Sequence, residues 1–157
     1  MTKLRLLAIV LTLTINLGVF AQQTAAYTSD LVDFQKALSL YNSKQYLAAQ
    51  SMFDKIEDKA TDEVVKSDCA YYIANCAVRL NQQNADDLIQ NFVNDYPTST
   101  KRNTAYIDVA DYYFENSKFA YARKWYDKVD EEALARSERE KFYFNYGYSF
   151  YATNNAQ

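Results

Sequence analysis

A repeated pattern of small and large apolar residues is the feature that most limits how this chain can fold. Ala49 is followed four residues later by Phe53, and Ala122 is followed four residues later by Tyr126, at an offset of 73 residues. A middle copy at Ala85 divides that offset into steps of 36 and 37 residues. Residues four apart share one face of an α-helix. A constant step of this size therefore indicates a supersecondary unit that repeats along the chain.

A further apolar stretch precedes each of these alanine segments, so the pattern predicts two helices in every repeat. The two helices of a pair are separated by short polar turns, as expected for antiparallel neighbours. Asn84 and Ser29 are predicted helix caps, and Ser137 with Glu140 has the spacing of a capping box. The predicted first helices are 29–42, 63–80, 100–116 and one that starts near Ser137, and the turns are 43–45 and 116–118.

Composition excludes several other folds and activities. Hydrophobic residues make up 49% of the 157 residues and charged residues 24%, which is enough to bury a core. The chain has two glycines, Gly18 and Gly147, and one proline, Pro97, too few for a turn-rich sheet protein or a phosphate-binding loop. It has no histidine, which excludes Ser-His-Asp catalysis and the usual zinc sites. We therefore expect an all-α protein that is not an enzyme and has no cofactor or metal.

The first 21 residues have the organisation of a secretory signal peptide. Lys3 and Arg5 form a positive start, 6–17 is an apolar segment, and small residues precede a predicted cleavage after Ala21. Cleavage would leave 15 basic against 20 acidic residues, a net charge of −5, and no basic cluster for nucleic acid. The apolar segment is short for a membrane anchor, so we expect no transmembrane span in the mature chain. The expected location is the periplasm or the outer membrane.

Two cysteines, Cys69 and Cys76, are seven residues apart in a predicted helix. That spacing puts their Cα atoms about 10 Å apart, which is beyond the reach of a disulfide. Because the two share a helix face, we expect them to be small buried residues of the core.

The paired helices and their alanine positions resemble the tetratricopeptide repeat, whose nominal period is about 34 residues. The resemblance covers residues 28–157, after a linker at 22–27. It implies antiparallel helix pairs stacked as a right-handed superhelix, an α-solenoid of about three and a half repeats. The implied repeats are 29–60, 61–97, 98–134 and a half repeat at 136–157. In this family a small residue lets the paired helices approach closely, and Ala37, Ala110 and Gly147 correspond to it in the first helices.

The same resemblance implies that the first helices line a concave groove that binds a partner segment. The groove positions that carry over are Phe34, Leu38, Tyr41, Ile107, Asp111, Phe114, Phe144, Tyr148 and Tyr151. None is carried over from the second repeat, whose register is open. These residues suit a peptide with hydrophobic side chains, although they are also suited to packing between neighbouring first helices. They lack the Lys and Asn with which chaperone-binding members clamp a terminal carboxylate.

We therefore expect an exported protein–protein interaction scaffold of the cell envelope. The alternative is a targeting or oligomerisation module of a larger envelope protein, with an enzymatic or cell-wall-binding domain beyond residue 157. Self-association through the half repeat is a third hypothesis, because its helix is very rich in aromatic residues.

Overall fold

The computed structural model describes residues 31–154, and all regular structure in this range is helical, without a strand. The all-α prediction is confirmed for these residues. The predicted signal peptide, the linker, the cap at Ser29 and residues 155–157 lie outside the described range. The helices are α1 (31–42), α2 (Tyr46–Glu57), α3 (Glu63–Arg79), α4 (Ala85–Asp95), α5 (Arg102–Glu115), α6 (Phe119–Tyr126) and α7 (Arg136–Asn154), with a short 3₁₀ turn at Glu131–Ala133.

Helices that follow one another in the chain pack against each other from α2 to α7. Helix α1 joins this arrangement through Phe34, whose ring lies 5.4 Å from Phe53 of α2 and 6.0 Å from Tyr72 of α3. In addition, α3 contacts α5, and α5 contacts α7. The first helices of successive pairs are therefore neighbours in space, as well as each lying next to its own second helix. Among the described residues, no helix is long and apolar enough to cross a bilayer.

The core is built around the periodic alanines. Ala110 of α5 and Ala122 of α6 are fully buried in one cluster with Trp125 and Tyr126. A methyl group on each helix permits a close approach of the two backbones, and the large rings fill the space beside it. The buried alanines that recur at steps of 36 or 37 residues are Ala37, Ala74 and Ala110 in the first helices and Ala49, Ala85 and Ala122 in the second helices. Ala77 of α3 and Ala105 of α5 are also buried, outside this spacing.

Gly147, which was expected to take the same place in α7, is exposed instead. A Cβ atom added to it would meet nothing within 4 Å. Within the described residues no second helix lies over it, and a small residue can close-pack only where a partner helix is present.

The three first helices α1, α3 and α5 end in the same way. The second residue after each helix has a positive φ: Lys44 at 61°, Asn81 at 55° and Ser117 at 58°. At the last of these ends, the amide of Lys118 donates to the carbonyl of Tyr113, and the amide of Ser117 donates to that of Phe114. The other two ends have the same pair of bonds, which is the Schellman motif. Three non-glycine residues thus adopt the left-handed conformation in a chain that is poor in glycine.

The predicted cap at Ser137 is wrong, and the one at Asn84 is confirmed in its position only. Ser137 lies inside α7, which begins at Arg136, and the amide of Ala135 donates to Glu138 Oε2 at 2.9 Å. This bond is one half of a capping box, and it lies two residues earlier than predicted. The other half is missing because alanine has no side-chain oxygen that could accept from the helix. Asn84 does precede α4, but its side chain makes no capping hydrogen bond, since its backbone is not in the extended conformation that directs the oxygen at the helix.

The two cysteines are fully buried in the cluster formed by α1, α2 and α3, as predicted. Burial raises the pKa of the Cys76 thiol to about 12, so it stays protonated at neutral pH.

Replacement of Ser117 by glycine should stabilise the protein by up to about 1 kcal/mol, because glycine adopts a positive φ without a steric penalty. Lys44→Gly should have a similar effect. Asn81→Gly should gain less, because asparagine tolerates this conformation better than serine or lysine. Urea unfolding of the three variants measures these differences, and equal gains at all three sites would contradict the explanation.

Ala122→Leu should destabilise the protein by about 1–3 kcal/mol, because the added carbons overpack the contact between α5 and α6. Ala48→Leu is the matched control, since Ala48 is an exposed alanine of α2. Thermal unfolding of both variants provides the comparison. A fully tolerated leucine at position 122 would show that close approach of these helices is not required.

Candidate functional site

A cavity of about 300 Å³ lies across the first helices of the successive pairs. It is walled by tyrosines and by charged side chains, and we call it the tyrosine cavity. Its lining residues are Tyr41 from α1, Tyr71, Tyr72 and Arg79 from α3, Asp108, Asp111, Tyr112 and Glu115 from α5, and Lys141 from α7.

Asp108 and Tyr71 form one polar contact of the cavity. The Tyr71 hydroxyl donates to Asp108 Oδ2, which joins α3 to α5. Burial raises the pKa of Asp108 above its ordinary value of 3.8, and the hydrogen bond from Tyr71 only partly offsets this effect. Burial and the neighbouring carboxylate likewise raise the pKa of the Tyr71 hydroxyl, so it remains a donor at neutral pH.

The Asp111 carboxylate makes three polar contacts with side chains of two other helices. Asn145 Nδ2 donates to its Oδ1 at 3.0 Å, and Lys141 Nζ lies 2.7 Å from its Oδ2. The Tyr126 hydroxyl also donates to Oδ1. This carboxylate therefore ties α5 to α6 and α7, and the bond to Asp111 raises the pKa of Lys141. With 17% of its side chain exposed, Asp111 still faces the cavity.

Arg79 is held by aromatic rings at the end of α3. Its guanidinium carbon lies 5.1 Å from the ring centres of both Tyr41 and Tyr112 and 5.7 Å from that of Tyr46. Its Nη1 also donates to the side-chain oxygen of Asn75 at 2.8 Å. Cation–π contact of this kind fixes the guanidinium between the first and third pairs. The positive charge of Arg79 is thereby built into the wall of the cavity.

An apolar surface, the aromatic rim, adjoins the tyrosine cavity at its α7 side. Tyr148 is its centre: its ring lies 5.7 Å from Phe114, 5.3 Å from Phe119 and 6.4 Å from Phe144. Phe144 and Tyr151 are about two-thirds exposed, at 68% and 66%. Large apolar side chains exposed side by side in this way are typical of surfaces that bind a partner. The rim consists of Phe114, Phe119, Phe144, Tyr148 and Tyr151.

The nine predicted groove residues divide into three groups in the structure. Two of them, Tyr41 and Asp111, line the tyrosine cavity, whereas four, Phe114, Phe144, Tyr148 and Tyr151, belong to the aromatic rim. Phe34, Leu38 and Ile107 pack into the core, where Ile107 is only 9% exposed. Whether any of the nine contacts a partner stays a prediction.

Of the charged residues that line the cavity, the sequence predicted only Asp111. The predicted groove residues do not include Tyr71, Arg79, Asp108 or Lys141. One signal in the sequence could have identified Asp108, which is a carboxylate between Ile107 and Val109 in α5. The small residues of α3 fit several registers, so the sequence alone does not direct Tyr71 towards the groove.

Acidic side chains outnumber basic ones in the lining of the tyrosine cavity. Asp108, Asp111 and Glu115 contribute three carboxylates, against the two cations Arg79 and Lys141. In the part of the chain that is described, no group of three or more His, Cys, Asp or Glu side chains is placed to hold a metal ion.

No known protein family, curated protein or solved structure matches this chain. The interpretation of the site therefore depends on its own geometry.

Asp108→Asn should stabilise the folded protein more at pH 7 than at pH 3. Burial raises the pKa of Asp108 in the folded protein above its unfolded-state pKa near 3.8. The protonated carboxyl therefore favours folding below pH 3.8, and this contribution is lost as the pH rises through the folded-state pKa. Asparagine removes the buried charge and keeps an oxygen that can accept from Tyr71. Chemical unfolding of both proteins across this pH range measures the difference, and a difference that does not vary with pH would contradict the assignment.

Proposed function

We propose that this chain is a peptide-binding scaffold of the cell envelope, built as a solenoid of tetratricopeptide type. Three features support the solenoid. The buried alanines recur at steps of 36 and 37 residues, the first helices of three pairs end in the same Schellman turn, and each pair contacts the next. Nearest-neighbour stacking of equivalent units is the defining property of such arrays.

The observation that carries the binding proposal is the continuity of the tyrosine cavity with the aromatic rim. Helices α5 and α7 carry both surfaces: Glu115 of the cavity directly follows Phe114 of the rim, and Lys141 of the cavity lies one helical turn before Phe144 of the rim. Together they offer polar and apolar contacts along one side of α3, α5 and α7. Such a surface suits an extended or helical segment with side chains of both kinds.

The expected ligand carries a large apolar side chain and a basic one, spaced to reach the two surfaces. The apolar side chain would pack on Phe144 and Tyr148 of the rim, because burial of aromatic surface supplies most of the affinity at such sites. The basic side chain would lie in the cavity near Glu115, since carboxylates are in excess there. This differs from the purely hydrophobic peptide that the sequence suggested, because the carboxylates of α5 face the cavity. An acidic peptide is disfavoured by the same charges.

Selection from a random peptide library displayed on phage tests this proposal. We expect selected peptides to share a basic residue and an aromatic or large aliphatic residue. Tyr148→Ser should weaken their binding by about tenfold or more, because it removes the centre of the rim. Glu115→Gln should weaken binding a few-fold, with a loss that diminishes at high salt.

The matched control for Glu115→Gln is Asp58→Gln, since Asp58 is an exposed carboxylate beyond the end of α2, outside the cavity and the rim. It should leave binding unchanged. Peptides without a basic residue, or peptides whose binding does not depend on Tyr148, would overturn the proposal.

Location in the envelope is proposed from the sequence of residues 1–21. Expression of the full-length chain in a Gram-negative host should yield a periplasmic protein whose N-terminal sequence begins at Gln22. N-terminal sequencing of the fractionated protein checks this expectation. A chain that keeps Lys3 and Arg5 and stays in the cytoplasm would contradict it.

A further inference from the structure

Two tyrosines of the tyrosine cavity, Tyr41 and Tyr112, hold the guanidinium group of Arg79. Its central carbon lies 5.1 Å from both ring centres. Tyr41 belongs to α1 and Tyr112 to α5, so rings from two helices contact one cation of α3. Arg79 lines the same cavity. A second guanidinium stacked on these rings would therefore lie beside its positive charge and be repelled by it.

The other two tyrosines of the cavity, Tyr71 and Tyr72, lie close to the ammonium group of Lys101. The Lys101 Nζ atom lies 5.5 Å from the ring centre of Tyr71 and 5.6 Å from that of Tyr72. The Tyr72 ring also stacks on Phe53 of α2, with ring centres 4.9 Å apart. All four tyrosines of the lining thus have a cation of the protein near their rings, so an incoming cation competes with a resident one at each of them.

The carboxylate of Asp111 is engaged on both of its oxygens. Oδ1 accepts hydrogen bonds from Tyr126 and Asn145, and Oδ2 pairs with Lys141. A guanidinium binds a carboxylate most strongly through two parallel hydrogen bonds, which require both oxygens. Asp111 cannot receive an arginine side chain in this way without losing partners of its own.

Asp108 offers the cavity one oxygen. The Tyr71 hydroxyl donates to Oδ2, and among the described residues no side chain donates to Oδ1. An ammonium group is a compact point charge, so a single oxygen is sufficient to bind it. A guanidinium group at the same oxygen would lose the second bond of its planar fork.

Glu115 is the third carboxylate of the lining, and it is exposed. An ion pair with an exposed carboxylate contributes little, because solvent screens the two charges. Glu115 lies two helical turns after Asp108 on the same face of α5, and it can attract either kind of basic side chain to the cavity. The choice between a lysine and an arginine is therefore made at Asp108.

We propose that the tyrosine cavity selects a lysine side chain over an arginine side chain, and that the lysine ammonium group binds Asp108 Oδ1. Such selection rests on the peptide-binding function proposed above and names its basic side chain. Arginine is normally the stronger ligand where carboxylates and aromatic rings meet, because it stacks and binds bidentately. Here resident cations contact the rings, and resident donors hold three of the four oxygens of Asp108 and Asp111. An ammonium group needs neither a free ring nor a second oxygen.

Three pools of random peptides of equal length, acetylated at the N-terminus and amidated at the C-terminus, are the probes. The first pool contains lysine and no arginine, the second contains arginine and no lysine, and the third contains neither. Acetylation leaves the lysine side chain as the only ammonium group in the first pool. The fraction of each pool that binds to immobilised full-length protein is measured. We expect the lysine pool to be retained severalfold more than the arginine pool, and the third pool to be retained least.

Asp108→Asn should reduce retention of the lysine pool by about tenfold, because it removes a hydrogen bond to a charged group. An asparagine that accepts from Tyr71 through its oxygen also directs its amino group to the place of the ammonium. The arginine pool should change much less, so the preference for lysine is lost. Asp58→Asn is the matched control, since Asp58 is an exposed carboxylate beyond the end of α2. Thermal unfolding at the same pH checks that both variants are folded.

Arg79→Met is the reciprocal variant. It removes the resident guanidinium from the rings of Tyr41 and Tyr112, and the flexible methionine side chain keeps part of the apolar volume. A guanidinium from a peptide can then take the vacated place, so retention of the arginine pool should rise relative to that of the lysine pool. A purely structural role of Arg79 would change both pools alike and leave their ratio as it was.

The outcomes separate this selection from the function on which it rests. Equal retention of the lysine and arginine pools by the original protein would overturn the selection of lysine and leave the peptide-binding function in place. A preference for lysine that survives Asp108→Asn would overturn the assignment to Asp108. If neither basic pool is retained above the third, the binding of basic peptides itself fails, and the selection of lysine fails with it.

Discussion

The close approach of two helices at a pair of alanines is the contact on which the rest of this structure depends. Where Ala110 meets α6, the rings of Trp125 and Tyr126 fill the volume that the small side chains leave beside the contact. Both rings are about 1% exposed, so the apolar contact between the two helices of this pair is closed to water. The remaining apolar sides must then be buried against the next pair, and this requirement sets the pairs side by side. The surface across the first helices, including the tyrosine cavity, exists because this stacking brings α3, α5 and α7 together.

Polar contacts fix how the pairs are positioned relative to one another. Apolar contacts between helices tolerate small displacements of one helix along the other. A buried carboxylate does not, because it loses stability when a hydrogen-bond donor moves away. Asp111 receives donors from α6 and α7, and Asp108 receives the hydroxyl of Tyr71 from α3. Burial of Asp108 has a cost, which appears as its raised pKa. The same carboxylates give the cavity its excess of negative charge, so the groups that align the pairs also shape the ligand that we propose.

Periodic side chains could be interpreted from the sequence, whereas contacts between distant helices could not. The alanine and aromatic positions of the outer repeats predicted the helices to within about two residues, because these residues are small or large for a packing reason. In α3 the small residues Ala70, Ala74 and Ala77 fit several registers, so its orientation required coordinates. The bond between Tyr71 and Asp108 joins residues 37 apart and depends on the rotation of both helices. Gly147 was misplaced for a related reason: a small residue predicts close packing only if the partner helix is there.

Helix α7 carries residues of both parts of the proposed groove. Lys141 lines the tyrosine cavity, whereas Phe144 and Tyr148 belong to the aromatic rim. Among the described residues, α7 packs mainly against α5 and α6. In a stacked array each helix pair is stabilised by its neighbours, so the position of these groove residues depends on that packing. A ligand that spans the cavity and the rim would contact α5 and α7 together, and it would therefore stabilise the contact between the two helices as well as fill the groove.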